Sequence, residues 1–161
     1  MKLAIVGVTG LVGKEMMEVL EERRLQISEF IPVASKKSAG RNIRFMDRDH
    51  KIVTLEEALK RKPDFALFSA GASLSLDFAD RFAEIGCCVI DNSSAWRMHP
   101  DIKLVVPEVN GDILDADDKL IANPNCSTIQ LVAALRPIHA RYGLKRVVVS
   151  TYQSFTGTGA R

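Results

Sequence analysis

Apolar residues in this chain fall into short unbroken runs that alternate with longer segments of helical period. Residues 2–8, KLAIVGV, are almost wholly apolar, the pattern of a strand buried on both faces of a parallel sheet. The turn GVTGLVG follows, and residues 11–24 predict a helix with Val12, Met16, Val19 and Leu20 on one face. ISEFIPVAS reads as a second strand, and the polar, basic stretch KKSAGRNIRFMDRDHK as a loop with a short strand. TLEEALKRK predicts a short helix with Thr54 as its N-cap. DFALFSA is another buried strand, SLSLDFADRFAEIG a helix closed by Gly86, and CCVIDNSS a strand ending in polar residues. LVVPEVN lies in an irregular section. KLIANP is a further strand, followed by a turn holding Cys126 and a helix to about residue 142. KRVVVSTYQSFTGTG reads as a strong final strand running into a Gly-rich turn.

Strands that alternate with helices predict an α/β fold with a mostly parallel, doubly wound, Rossmann-like sheet and right-handed crossovers. Ligands of such sheets bind beyond the carboxyl ends of the strands. The polar clusters GVTGLVG, SKKS, SAGAS, DNSSAWR and NPNCST all fall there, so they are expected to share one site.

GVTGLVG places Gly7, Gly10 and Gly13 three residues apart, a variant of the dinucleotide fingerprint with Thr9 at one tight position. Small residues let backbone approach a pyrophosphate, and the helix that follows offers free N–H groups and a positive dipole end. The competing reading is a tight strand-to-helix turn with no ligand. The end of the second strand carries Ser35, Lys36, Lys37 and Ser38, with no carboxylate among them. Cations and hydroxyls suit a ribose 2′-phosphate, which favours NADP over NAD. A solvated basic loop would carry the same residues.

Cys126 is expected at or beside a helix N-cap. The helix dipole and free N–H groups there favour a thiolate, and the same N–H groups with the Asn125 side chain could stabilise an oxyanion. Ser127 and Thr128 are alternative caps, and a buried cysteine that merely fills space is the plainer reading. Cys87 and Cys88, inside GCCVI, are expected to be inert. Arg97, in a loop beside Ser93 and Ser94, carries a guanidinium able to grip a phosphate or carboxylate bidentately, although most loop arginines do no such thing. His50, His99 and His139 show no pairing with Cys126, and Trp96 is expected to pack.

The bulk composition narrows the partners. The 161 residues allow one domain, or one and part of another, with 47 % hydrophobic and 26 % charged residues. A formal net charge of +2 does not point to nucleic acid or an anionic membrane. No apolar run approaches the ~18 residues of a membrane span. The three cysteines form no paired framework and fit a reducing cytoplasm. No metal-ligand spacing is present.

Taken in order, GVTGLVG, VASKKSAG, LFSAGAS, VIDNSSAWR, LVVPEVN, NPNCSTIQ and STYQSFTGTGA resemble the motif string of bacterial aspartate-semialdehyde dehydrogenases along essentially the whole chain. The resemblance implies that Thr9, Gly10, Leu11 and Val12 line the NADP pyrophosphate and that Ser35, Lys37 and Ser38 meet the 2′-phosphate. It makes Cys126 the acyl-thioester nucleophile and Arg97 the ligand of the acyl phosphate or inorganic phosphate. Gln153 would orient the substrate, and Thr156 and Gly157 would lie near the nicotinamide. The implied reaction is the NADPH-dependent reduction of L-4-aspartyl phosphate to aspartate 4-semialdehyde with release of phosphate. It would serve lysine, threonine, methionine and diaminopimelate synthesis in the cytoplasm.

The family also has a second part, with a substrate-binding Arg, a catalytic His and most of the dimer interface. On this pattern residues 1–126 form the NADP-binding domain and residues 127–161 begin a second α/β domain for catalysis and dimerisation. The expectation is a homodimer or homotetramer at full length, and nucleotide binding with little turnover by these 161 residues alone. The final strand would lack sheet partners and be prone to aggregation. TGTG stands where SGAG-like sequence is common, which keeps a small-residue turn. Two alternatives remain open: an N-acetyl-gamma-glutamyl-phosphate reductase, against which NPNCSTIQ speaks, and a non-enzymatic nucleotide-binding module.

Overall fold

A computed structural model describes residues 1–152. In chain order the elements are β1 (Lys2–Val6), α1 (Leu11–Glu22), β2 (Glu29–Val33), β3 (Asn42–Phe45), β4 (Arg48–Lys51), α2 (Leu55–Arg61), β5 (Phe65–Phe68) and α3 (Ala72–Glu84). They continue as β6 (Cys88–Asp91), β7 (Lys103–Leu104), α4 (Pro107–Asn110), a 3-10 turn (Gly111–Ile113), β8 (Leu120–Ala122) and α5 (Cys126–Tyr142). Six strands form a wholly parallel sheet in the order β2-β1-β5-β6-β8-β7. The chain leaves β1 in one direction for β2 and later returns past β1 to β5. The order therefore reverses between β1 and β5, the usual place for a ligand crevice.

Strand side chains alternate between two cores. Ala4, Val6, Ile31, Val33, Ala66, Phe68, Val89 and Ala122 face α2 and α3, meeting Ala58, Ala79 and Phe82. Leu3, Ile5 and Phe30 face the other way, meeting Met17 and Leu20 of α1 and the Phe45 and Ile52 side chains. Both sheet faces bear helices, so the strands read as continuous apolar runs. The doubly wound α/β architecture expected from the pattern is present.

Four local readings change. The buried face of α1 is Gly13, Met17 and Leu20, whereas Val12 is 50 % and Val19 48 % exposed. The reason is Gly13: a Cβ there would lie 2.4 Å from the Gly7 carbonyl oxygen, so the bare glycine is where α1 meets the β1 turn. The contact line then runs at i, i+4 and i+7 from Gly13. Val12, Met16 and Val19 border an apolar groove that ends at Asn92. The basic stretch after β2 holds two strands: β3 and β4 pair antiparallel, with Met46 and Asp47 between them at φ 48° and 58°. LVVPEVN is partly regular, Leu104 ending β7 and Pro107 opening α4 at a position where its missing N–H costs nothing. Residues 144–152 make no ladder among the described residues, so the strand expected there is not formed. Thr54 caps α2 as expected, through a reciprocal capping box with Glu57.

Candidate active site

The register of the sheet sets the site. Val6 pairs with Val33 and Phe68, Phe68 with Asp91, and Asp91 with Ala122. Five strands therefore end at one level, and the next residues, Gly7, Ala34, Ser69, Asn92 and Asn123, open five turns along a single edge. Four of the expected clusters sit directly on those turns, and the fifth, DNSSAWR, begins at the last residue of β6.

The first turn is built by its glycines. Gly7 has φ +93°, and a Cβ on it would lie 2.5 Å from the Ser69 carbonyl, so this turn packs directly against the turn after β5. Gly10 is the N-cap of α1, and no side chain caps that helix. Thr9, Gly10, Leu11 and Val12 are all exposed there. An uncapped helix start beside a glycine turn leaves backbone N–H groups for an anion, and this donor set fits a dinucleotide pyrophosphate. α3 likewise starts without a side-chain cap, at Gly71 with φ +93°.

After β2, the Ser38 and Ala39 N–H groups donate to the Ser35 carbonyl, folding residues 35–39 into a tight turn. Ser35, Lys36 and Lys37 are exposed on it and Ser38 is half-buried. Glu56 is held below the usual carboxylate range chiefly by backbone hydrogen bonding, with smaller contributions from the Thr54 side chain and from Lys36 of this turn.

Cys126 is the first residue of α5 and is exposed. Asn125 is the cap, so Ser127 and Thr128 are not. Asn125 Oδ1 accepts from the Ser127 N–H at 3.1 Å and from Ser127 Oγ at 2.6 Å. The plain reading of a space-filling thiol fails for Cys126 and holds for Cys87, which is fully buried with its thiol pushed up to about 12, first by burial. Cys88 is half-buried and also raised by burial. No cluster of three metal-ligating side chains exists among the described residues.

Arg97 reaches this edge, but two of its N–H groups are committed to the protein. Nε donates to the Asn123 carbonyl at 2.8 Å and Nη2 to the Asn92 carbonyl at 2.9 Å. Asp91, fully buried, accepts from the Ser93 N–H at 3.1 Å and Ser93 Oγ at 2.6 Å, and so folds the loop that carries Arg97. Trp96 packs as expected, its Nε1 donating to Ser75 Oγ at 3.0 Å. Residue type alone does not announce the pairing of Asn92 with Asn123, whose side chains bridge the ends of β6 and β8 at 2.5 Å. Gln153, Thr156 and Gly157 lie outside the described residues.

Residues 2–116 match the family of the semialdehyde dehydrogenase NAD binding domain. The aspartate-semialdehyde dehydrogenase of Aquifex aeolicus is 52 % identical over 99 % of this chain and 48 % of its own length. The crystal structure of aspartate semialdehyde dehydrogenase II from Vibrio cholerae superposes with a TM-score of 0.91 at 45 % identity, over 98 % of this chain and 48 % of that one. The Candida albicans aspartate semialdehyde dehydrogenase with NADP is 25 % identical at a TM-score of 0.71, over 89 % of this chain and 48 % of that one. The chain thus spans about half the length of the curated relatives it matches. On the strength of the glycine turn, the aligned strand ends and these matches, the chain belongs to the semialdehyde dehydrogenase family, whose NAD-binding domain it contains.

Proposed function

We propose that this chain carries the nucleotide- and thiol-bearing part of an NADP-dependent aspartate-semialdehyde dehydrogenase, a cytoplasmic enzyme of amino-acid biosynthesis. The observation that carries the reading is the shared edge: the glycine turn, the SKKS turn, Arg97 and an exposed Cys126 at a helix start all follow strands ending at one level. Residues 1–126 form the nucleotide domain. Residues 127–161 open a second domain for catalysis and for homodimer or homotetramer assembly, which would supply the proton-transfer group, and Gln153, Thr156 and Gly157 would complete the substrate and nicotinamide end.

The backbone of Thr9, Gly10, Leu11 and Val12 would hold the pyrophosphate, and Ser35, Lys37 and Ser38 the 2′-phosphate. The nucleotide, when bound, supplies the hydride. Arg97 binds the phosphate of L-4-aspartyl phosphate while Cys126 Sγ attacks the acyl carbon. The acyl C–O bond breaks, phosphate leaves with its electron pair, and a thioester remains on the sulfur. After reduction, the C–S bond breaks as the carbonyl re-forms, which returns the thiolate and frees the aldehyde. Asn125 Oδ1 is engaged by Ser127, which leaves its NH2 group as the side-chain donor for the oxyanion.

Fluorescence titration of the chain with NADPH and NADH tests the nucleotide reading. Lys37→Ala is expected to weaken NADPH by about tenfold, the worth of one charge-assisted contact, and to leave NADH unchanged. Equal affinity for the two nucleotides would defeat the NADP assignment. Phosphate-dependent NADPH formation from aspartate semialdehyde, assayed on this chain and on the whole reading frame that encodes it, tests the reaction. Activity only with the N-acetylglutamyl analogue would select the related reductase instead, and binding without turnover on either substrate, even by the product of the whole reading frame, would leave a non-enzymatic module.

A further inference from the structure

The ends of β6 and β8 stay joined beyond the last ladder bond. The Asn123 N–H donates to the Asp91 carbonyl at 2.8 Å, and Asn123 Nδ2 donates to Asn92 Oδ1 at 2.5 Å. The Arg97 guanidinium then spans both strands, its Nε edge bonded to the Asn123 carbonyl and Nη2 to the Asn92 carbonyl. Two residues, Pro124 and Asn125, separate Asn123 from Cys126. Pro124, buried, restricts the first step, and Asn125 fixes the last by capping α5. The carbonyl that Arg97 holds is therefore the upstream anchor of the turn that presents the thiol.

We propose that Arg97 and Asn123 form a latch that positions the Cys126 turn, so that Arg97 acts as a positioning residue through backbone carbonyls in addition to any contact with substrate. The inference rests on the reading of Cys126 as the nucleophile. Its chemical logic lies in what the guanidinium bonds to. Carbonyls immobilise Arg97 without neutralising it, and no carboxylate pairs with it among the described residues. A planar fork can serve two carbonyls and still present Nη1, whereas a lysine ammonium is a single point charge without the fork's two fixed parallel donors. Lysine at this position would keep the charge and lose the latch.

Site-resolved alkylation of the 161-residue chain with iodoacetamide, followed by mass spectrometry, separates these roles. Cys87, fully buried, and half-buried Cys88 report in the same sample whether the fold is intact. Arg97→Lys and Arg97→Ala are expected to slow Cys126 alkylation by about tenfold or more, the worth of one charge-assisted hydrogen bond, with Cys87 still protected. Asn123→Ala, which removes only the side-chain bridge and leaves the cation in place, is expected to slow it less. Millimolar guanidinium should restore Arg97→Ala toward the wild-type rate and leave the wild type unaffected. Wild-type rates in both Arg97→Lys and Asn123→Ala would overturn the latch. So would a slowed Arg97→Ala that guanidinium does not rescue, or one in which Cys87 becomes reactive. Failure of NADPH to bind, or of the reaction to proceed, would strike the proposed function without altering these rates.

Discussion

Cys87 has no exposed surface, and burial, with smaller contributions from Cys88 and Asp64, pushes its thiol up to about 12 from a usual value of 9.0. A folded-state value above the unfolded one stabilises the fold fully below pH 9 and is lost as pH climbs from there toward 12, because the unfolded chain sheds a proton that the folded chain keeps. Urea unfolding followed from pH 8 to 11 should show the midpoint falling above pH 9, and Cys87→Ala should flatten that slope after its own offset for the lost sulfur contacts. An unchanged slope would mean that this thiol is not the titrating group. At this scale the sequence was readable where residue type is itself the signal. Gly7, Gly10 and Gly13 announce a close approach, and Cys126 before a helical pattern announces an N-terminal thiol. Asn123 gave no such sign, because two of its three bonds run through its backbone N–H and carbonyl, groups that carry no side-chain signature. Arg97 could be read as a free anion ligand for the same reason: its partners are backbone groups of residues 92 and 123.

Along α1 the expected face is Val12, Met16, Val19 and Leu20; Leu20 is buried and Met16 packs at the edge of the core, but the sheet otherwise takes the line through Gly13 and Met17. Periodicity counts apolar side chains, and glycine contributes none, so the helix face with the closest contact looked like the weaker one. Two substitutions two residues apart, on opposite sides of the helix, should separate the stripes. Met17→Ala, at 9 % exposure, should cost about 2–4 kcal/mol through lost burial and a cavity. Val19→Ser, at 48 % exposure, should stay within about 0.5 kcal/mol. Chemical denaturation of the two variants checks this, and a larger loss at Val19 would restore the original face. The β3–β4 hairpin was half-hidden for another reason. Its turn puts Met46 and Asp47 at positive φ without the Asn-Gly or Asp-Gly pair that announces such turns, and buried Phe45, in ring contact with Phe30, holds it against the sheet. Short β7 is tethered instead by charge. Lys103 bonds Asp118 at 2.7 Å and Asp115 at 3.0 Å, contacts that lower both carboxyls and raise the amine.

For the molecule as a whole, alternating runs and helices led to a parallel sheet because each buried strand carries its own apolar signature. Residues 145–152 carry that signature too, and form no strand, because a strand exists only with a partner to accept its backbone hydrogen bonds. Val147 and Val149 are each 48 % exposed, Val148 is 78 % and Tyr152 99 %, on a segment whose β-branched residues favour pairing. The physical expectation is that the chain satisfies this segment with any available edge, including that of a second copy. Light scattering should therefore show self-association that rises with protein concentration. Val148→Lys should suppress it, since a charge on an unpaired strand opposes edge pairing. The same substitution touches neither core nor nucleotide turn, so the melting temperature and NADPH affinity should not move. A chain that stays monomeric across the concentration range, or a Val148→Lys variant that melts earlier, would mean that the segment is already packed on its own sheet. The apolar residues of 146–152 would then belong to the nucleotide domain and not to a second one, and the proposed boundary near residue 126 would have to move toward the carboxyl end.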